Sequence, residues 1–313
     1  VKKWIFLFLI SATIAAHGQD SVSHRVVDSR PNFTARKWLV GGATLGGYGG
    51  SFLFLSTAWY KNYPRSSFHT FNDVGEWLQI DKAGHAWTAY QTSRFTTNMW
   101  RWTGVENNKA LLYGTGSSLL YMLSIEYLDG HSAEWGWSWG DAGADVLGAA
   151  LYASQELGWE EQRIALKFSS APKTYAEADL EKRADDLFGR SFQSRLLKDY
   201  NAQTYWLSAN IKSFFPQTSL PDWLNISVGY GADGMFGGYE NFAQSKTNGQ
   251  VTFDRRDIKR YRQFYLAPDF DFTKIHTKSK MLKSVFSALN VLKFPAPALE
   301  FSNGRIKLKA IAF

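Results

Sequence analysis

The sequence predicts an α+β fold: a glycine-rich, membrane-associated bundle of about four helices, then an amphipathic helix, then a small antiparallel β-region. Three observations predict it. A charge-free run from Trp38 to Tyr60 is followed by three long segments of helical periodicity. A charged amphipathic stretch lies beyond Pro172. Alternation of apolar and polar residues then dominates as far as Phe313.

Ahead of the bundle, Lys2 and Lys3 precede a short apolar run, Trp4 to Ile10, and a small-residue site at Ala16, His17 and Gly18. Residues 1–18 thus have the layout of a signal peptide cleaved near Gly18, too short in its apolar part to span a bilayer. The expected destination is the cell envelope, outer membrane or periplasm. Residues 19–32 are polar and aperiodic, and are expected to be a flexible lead-in. Cysteine is absent, which excludes disulfides, thiol catalysis and cysteine-ligated metals. It also leaves no lipobox cysteine, so a lipid on the N-terminal residue is not expected. The formal charge of +7 drops by two when Lys2 and Lys3 are removed. Its basic residues are scattered, so nucleic acid is not an expected partner.

The bundle is expected over residues 33–165. In its first helix, Gly42, Gly46 and Gly50 repeat at four-residue spacing, the small-xxx-small pattern of closely approaching helices. Trp38, Trp59 and Tyr60 bracket it like an interfacial belt. Glycines weaken a water-exposed helix by about 1 kcal/mol each relative to alanine, so this helix is expected to lie in lipid against neighbours. Further helices are expected from Asp73 to Met99, Asn108 to Tyr127 and Asp141 to Gly158, the last with cap chemistry at Ser138. In residues 172–313 an amphipathic helix is expected from Glu177 to Tyr200. Strands follow near Tyr205–Ile211, Ile226–Tyr230, Phe264–Phe272 and Arg305–Phe313, with a short helix at Lys280–Leu292 between the last two. A terminal Phe on an alternating strand resembles the assembly signal of outer-membrane barrels. Five or six strands are fewer than such barrels use, so a small sheet is expected.

Polar chemistry concentrates on the apolar helices. Asp81, Lys82 and His85 form a D-K-x-x-H group with Asp81 and His85 one turn apart, Glu126 closes the next helix, and Asp141 and Asp145 repeat the i, i+4 spacing. In a packed bundle these groups converge. Either His85 is a base or metal ligand oriented by Glu126, Asp141 and Asp145, or the set is a structural network of paired charges. No motif calls for a cofactor, and spacing alone fixes no metal set. Trp135, Trp137 and Trp139 alternate along a loop and would share one face if it is extended, as for contact with lipid headgroups or sugar rings. The G-x-S-x-G elbow and the H-E-x-x-H helix are absent.

At D-K-A-G-H (Asp81–His85), E-Y-L-D-G (Glu126–Gly130) and W-G-W-S-W-G-D-A-G-A-D-V-L-G (Trp135–Gly148), the chain resembles the YfiM-like family of predicted periplasmic lipoproteins, a domain of unknown function. The resemblance covers about residues 38–160 and implies an envelope location and a helical architecture, not catalytic roles. The exported, aromatic-rich style resembles Bacteroidetes-type envelope proteins. More loosely, the D-K-x-x-H helix with a later acidic helix is similar to VanZ-like membrane proteins.

The expected function is a structural or accessory role in the envelope, engaging membrane lipid, lipopolysaccharide or another envelope protein. One alternative is a membrane-associated enzyme acting on lipid or glycan through His85 and its carboxylates. The other is a glycan-binding module using Trp135, Trp137 and Trp139.

Overall fold

A computed structural model describes residues 33–58, 64–245 and 247–312, with backbone alone for 54–58. The expected signal peptide and lead-in, Trp59, Tyr60 and Phe313 lie outside those residues. The fold is α+β and divides into a helical unit, residues 33–73 and 85–162, and a sheet unit, residues 74–84 and 163–312. Eight α-helices are present among the described residues, four of them in the helical unit and four beyond the expected bundle.

The helical unit holds α1 (Phe33–Ala58), most of α2 (Ile80–Trp102), α3 (Asn107–Asp129) and α4 (Trp139–Trp159). No helix among the described residues is long and apolar enough to cross a membrane, so the helix expected from Trp38 is not a membrane span. The glycines of α1, with Thr44, Tyr48 and Ser51, dilute its aliphatic content. Along one side of α1, Val40 is buried, Tyr48 stacks on Tyr121 with ring centroids 4.5 Å apart, and the Tyr48 and Thr96 hydroxyls pair at 2.9 Å. Trp38, Leu39, Leu45 and Leu53 remain exposed. A methyl group added at Gly42, Gly46 or Gly50 would meet nothing within 4 Å, so the repeated spacing is not a helix contact. Close approach occurs elsewhere. A Cβ at Gly114 would lie 2.2 Å from Thr97 Oγ1, and one at Gly148 only 2.0 Å from the Ala86 carbonyl oxygen. Ala89, Met122 and Ala149 form the small apolar core beside these contacts.

Helix α2 begins at Ile80, later than its acidic start at Asp73 implies. The Trp77 N–H donates to the Gly238 carbonyl at 2.8 Å, and Trp77 and Leu78 adopt left-handed φ values of 47° and 50°. Residues 74–79 are thereby recruited to the sheet unit. The single amphipathic helix expected from Glu177 to Tyr200 is two, α5 (Ala178–Phe188) and α6 (Phe192–Lys198). Gly189, at φ +79°, ends the first, and the Ser191 hydroxyl accepts the Ser194 N–H to start the second. The unit also holds α7 (Ile211–Phe214) and α8 (Lys280–Leu289).

Six strands form one antiparallel sheet in the order β1 (Ile164–Ser170), β2 (Gln203–Asn210), β3 (Leu224–Asp233), β6 (Tyr261–Phe270), β7 (Ala296–Ser302) and β8 (Arg305–Ala312). A separate hairpin pairs β4 (Phe242–Gln244) with β5 (Val251–Asp254). The main sheet inverts the usual arrangement, in which apolar residues face inward. Along β3, Asn225, Ser227 and Gly229 are buried while Ile226 and Val228 are exposed; along β6, Gln263, Ala267 and Asp269 are buried while Phe264, Leu266 and Phe270 are exposed; along β7, Glu300 and Ser302 are buried while Leu299 and Phe301 are exposed.

Register lines up the side chains of the other face, exposed at Leu207, Val228, Leu266, Leu299, Leu308, Phe264 and Phe301, half-buried at Leu166, Tyr205 and Tyr230, and buried at Phe168. Leu166, Leu207, Val228, Leu266, Leu299 and Leu308 are successive cross-strand partners, an aliphatic row across all six strands. Phe168, Tyr205, Tyr230, Phe264 and Phe301 form an adjoining aromatic row that ends at Ile306. The inner face combines a buried cluster of Trp206, Tyr265, Ala267, Ala298 and Ala312 with polar bonds. Lys167 Nζ lies 2.9 Å from Asp269 Oδ2, both fully buried, and Ser208 Oγ donates to the same oxygen at 2.6 Å. Asn225 donates to Ser208 Oγ at 2.9 Å, and Asn210 donates to Asn225 at 2.8 Å. Buried charges persist only when paired and hydrogen-bonded, as these are. A Cβ at Gly229 would fall 2.7 Å from the Trp206 ring, so the glycine makes room for the indole on that face.

Candidate functional site

Three helices of the helical unit bring four of the sequence-predicted residues together: His85 from α2, Glu126 from α3, and Asp141 and Asp145 from α4. The Gly148–Ala86 approach fixes α4 against α2 one turn from Asp145 and one residue from His85. His85 Nδ1 lies 3.1 Å from Asp145 Oδ1 and 3.7 Å from Glu126 Oε1. Asp145 is fully buried, Glu126 and Asp141 nearly so, and the His85 side chain keeps 23 % of its exposure. One ligand atom from each of His85, Glu126 and Asp141 lies within 4.8 Å of the others.

The loop between α3 and α4 completes the site. Ser138 caps α4, its hydroxyl accepting the Asp141 N–H at 3.0 Å and donating to Asp73 Oδ1 at 2.6 Å. Its own N–H donates to Glu126 Oε2 at 3.2 Å, which leaves Oε1 toward His85. The loop is pinned by main-chain bonds: Phe71 N–H to the Trp137 carbonyl, and Trp137 N–H to the His69 carbonyl, each 2.9 Å. In the sequence Asp73 reads only as a helix start, because it has no periodic relation to α3 or α4.

Electrostatics favour protons here. Burial works against the His85 imidazolium, but the Asp145 hydrogen bond and the charges of Asp141, Asp145 and Glu126 outweigh it and raise its pKa to about 10. Burial pushes Glu126 up to about 8, against the opposing charge of His85.

The remaining candidates lie apart in role. Asp81 and Lys82 stand in the first turn of α2, within the sheet unit, and pair with each other at 2.9 Å. Trp139 is the first residue of α4 and is exposed, whereas Trp135 and Trp137 are half-buried. Trp137 packs edge-on to Trp139 at 5.4 Å and tilts against Phe68 at 6.1 Å.

Residues 70–155 match the model of a family described as predicted periplasmic lipoprotein (DUF2279). The matched segment holds every candidate residue named above and excludes α1 and the six-stranded sheet. Neither the curated proteins nor the solved structures contain a match to the chain. The similarity is to an envelope family of unknown function, in keeping with an exported protein.

Proposed function

We propose that this chain is an exported envelope protein of structural or accessory role, YfiM-like in its helical unit, that engages membrane lipid through the outer face of its sheet. One observation carries the reading: β2, β3, β6 and β7 turn polar residues inward, while Leu207, Val228, Leu266, Leu299 and Leu308 form an exposed aliphatic row beside exposed Phe264 and Phe301. Water penalises such a face by roughly 25 cal/mol per Å² of apolar surface, and hydrocarbon does not. Aliphatic bands edged by aromatic residues suit the boundary between acyl chains and headgroups.

The catalytic alternative is less well supported. A general base works best with a pKa near the operating pH, and His85 is held protonated to about pH 10. A sugar-stacking platform requires rings on one open face, and of the three tryptophans Trp139 alone is largely exposed.

Carbonate extraction of membranes and flotation with lipid vesicles test the reading. The wild-type chain is expected to stay with membranes and float. Val228→Glu with Leu266→Glu, folded by circular dichroism, is expected to lose most of that binding. Release of the wild-type chain by carbonate, with no flotation, overturns the proposal.

A further inference from the structure

We propose that His85, Glu126, Asp141 and Asp145 bind one divalent transition-metal cation, with zinc as its representative, clamping α2, α3 and α4 together. The inference is independent of lipid engagement by the sheet.

Geometry comes first. The separations of 3.1 and 3.7 Å from His85 Nδ1 to Asp145 Oδ1 and Glu126 Oε1 resemble the edges of a coordination polyhedron. With metal–ligand bonds of about 2.0–2.2 Å, those edges are about 3.0–3.5 Å. A cation taking the place of the Nδ1 proton, which leaves to solvent, therefore needs movements of only tenths of an ångström. Asp141 has a ligand atom within 4.8 Å of those of His85 and Glu126, so it joins by moving up to about 1 Å.

A second observation is independent of this spacing. Asp145 is fully buried, and its Oδ2 has no hydrogen-bond partner, while its Oδ1 touches the His85 ring. A buried carboxylate oxygen is rarely left unsatisfied, and one that is asks for an explanation. It belongs to the carboxylate that bonds His85, so a cation bound at His85 Nδ1 would have that carboxylate beside it.

The surroundings are those of a prepared site. Ser138 N–H occupies Glu126 Oε2 and orients Oε1 inward, the outer support that metal-binding carboxylates typically have. One imidazole with carboxylate oxygens, and no sulfur, selects among metals. Soft Cu(I) prefers thiolate or thioether, and Ca²⁺ takes six to eight oxygens, so Zn²⁺, Mn²⁺ or Fe²⁺ fits this set best. Donors from three different helices make the ion a tie across the unit, stabilising it as any ligand of the native state does.

The test uses the full chain in detergent, stripped with EDTA and titrated with zinc chloride, with magnesium and calcium chloride as controls. Retention of one zinc per chain after desalting and a raised thermal midpoint are expected, without comparable effect from the controls. Glu126→Gln and Asp145→Asn are each expected to weaken zinc binding at least about tenfold, and His276→Ala, at an exposed position far along the sequence, to leave it unchanged. Should the substituted chains fail to fold, hydrogen–deuterium exchange of the wild type decides. Zinc-dependent protection of peptides around residues 85, 126 and 141–145 supports the site. Absence of stoichiometric zinc, undiminished binding in both substituted chains, or protection confined to other peptides overturns it.

Discussion

A hydrogen atom where other residues carry a methyl group sets how near α4 comes to α2. Gly148→Ala is expected to force the Ala86 carbonyl away and destabilise the helical unit by about 1–3 kcal/mol, as overpacking does. Gly46→Ala, in the open, is expected to stabilise α1 by up to about 1 kcal/mol through helix propensity. Urea unfolding of both in mild detergent checks the pair; equal destabilisation would contradict this account of the contacts. Protons matter at the same scale. His85 and Glu126 bind protons more tightly in the folded chain, with pKa values of about 10 and 8 against ordinary values of 6.5 and 4.5. Their stabilisation is complete below the ordinary values and is lost as pH rises through the folded ones. In metal-free protein, stability is expected to fall between about pH 5 and pH 10, less steeply in His85→Gln than in the wild type. Urea midpoints across that range measure it, and an identical slope in the two proteins would contradict it.

At the scale of elements, periodicity and caps made α3 and α4 legible to within a few residues, and Ser138 was readable as a cap. The start of α2 was not, because Trp77 is drawn away by a bond to Gly238 that no local signal announces. Strand β1 was hidden by Lys167, a charge in mid-strand whose partner Asp269 lies about a hundred residues further on. Prolines 295 and 297 similarly disguised β7. The i, i+4 pair of Asp141 and Asp145 and the lone His85 were visible, and so was their convergence in a packed bundle. Which glycines make that packing was not, since Gly42, Gly46 and Gly148 look alike along the chain. Spacing marks where a helix has room, whereas contact depends on what stands opposite.

For the whole molecule, the lipid contact proposed above rests on the sheet rather than on α1. Alternation along a strand identifies two faces but does not state which solvent each meets. Asn225, Ser227 and Asp269 could equally have faced water. Their burial, with Asn225 and Asp269 joined through Ser208 and Ser227 bonded to the Ala267 carbonyl, and the exposure of Val228 and Leu266 on the other face, tell the two faces apart. Because the chain contains no cysteine, single spin labels can be placed without background. The most direct measurement is electron paramagnetic resonance of Val228→Cys and Leu266→Cys, each labelled and reconstituted in lipid vesicles, with Tyr239→Cys as an exposed position off the sheet. Labels at 228 and 266 are expected to collide with oxygen and be shielded from a water-soluble nickel chelate, while the label at 239 meets the chelate freely. Equal chelate access at all three positions would contradict lipid engagement by the sheet.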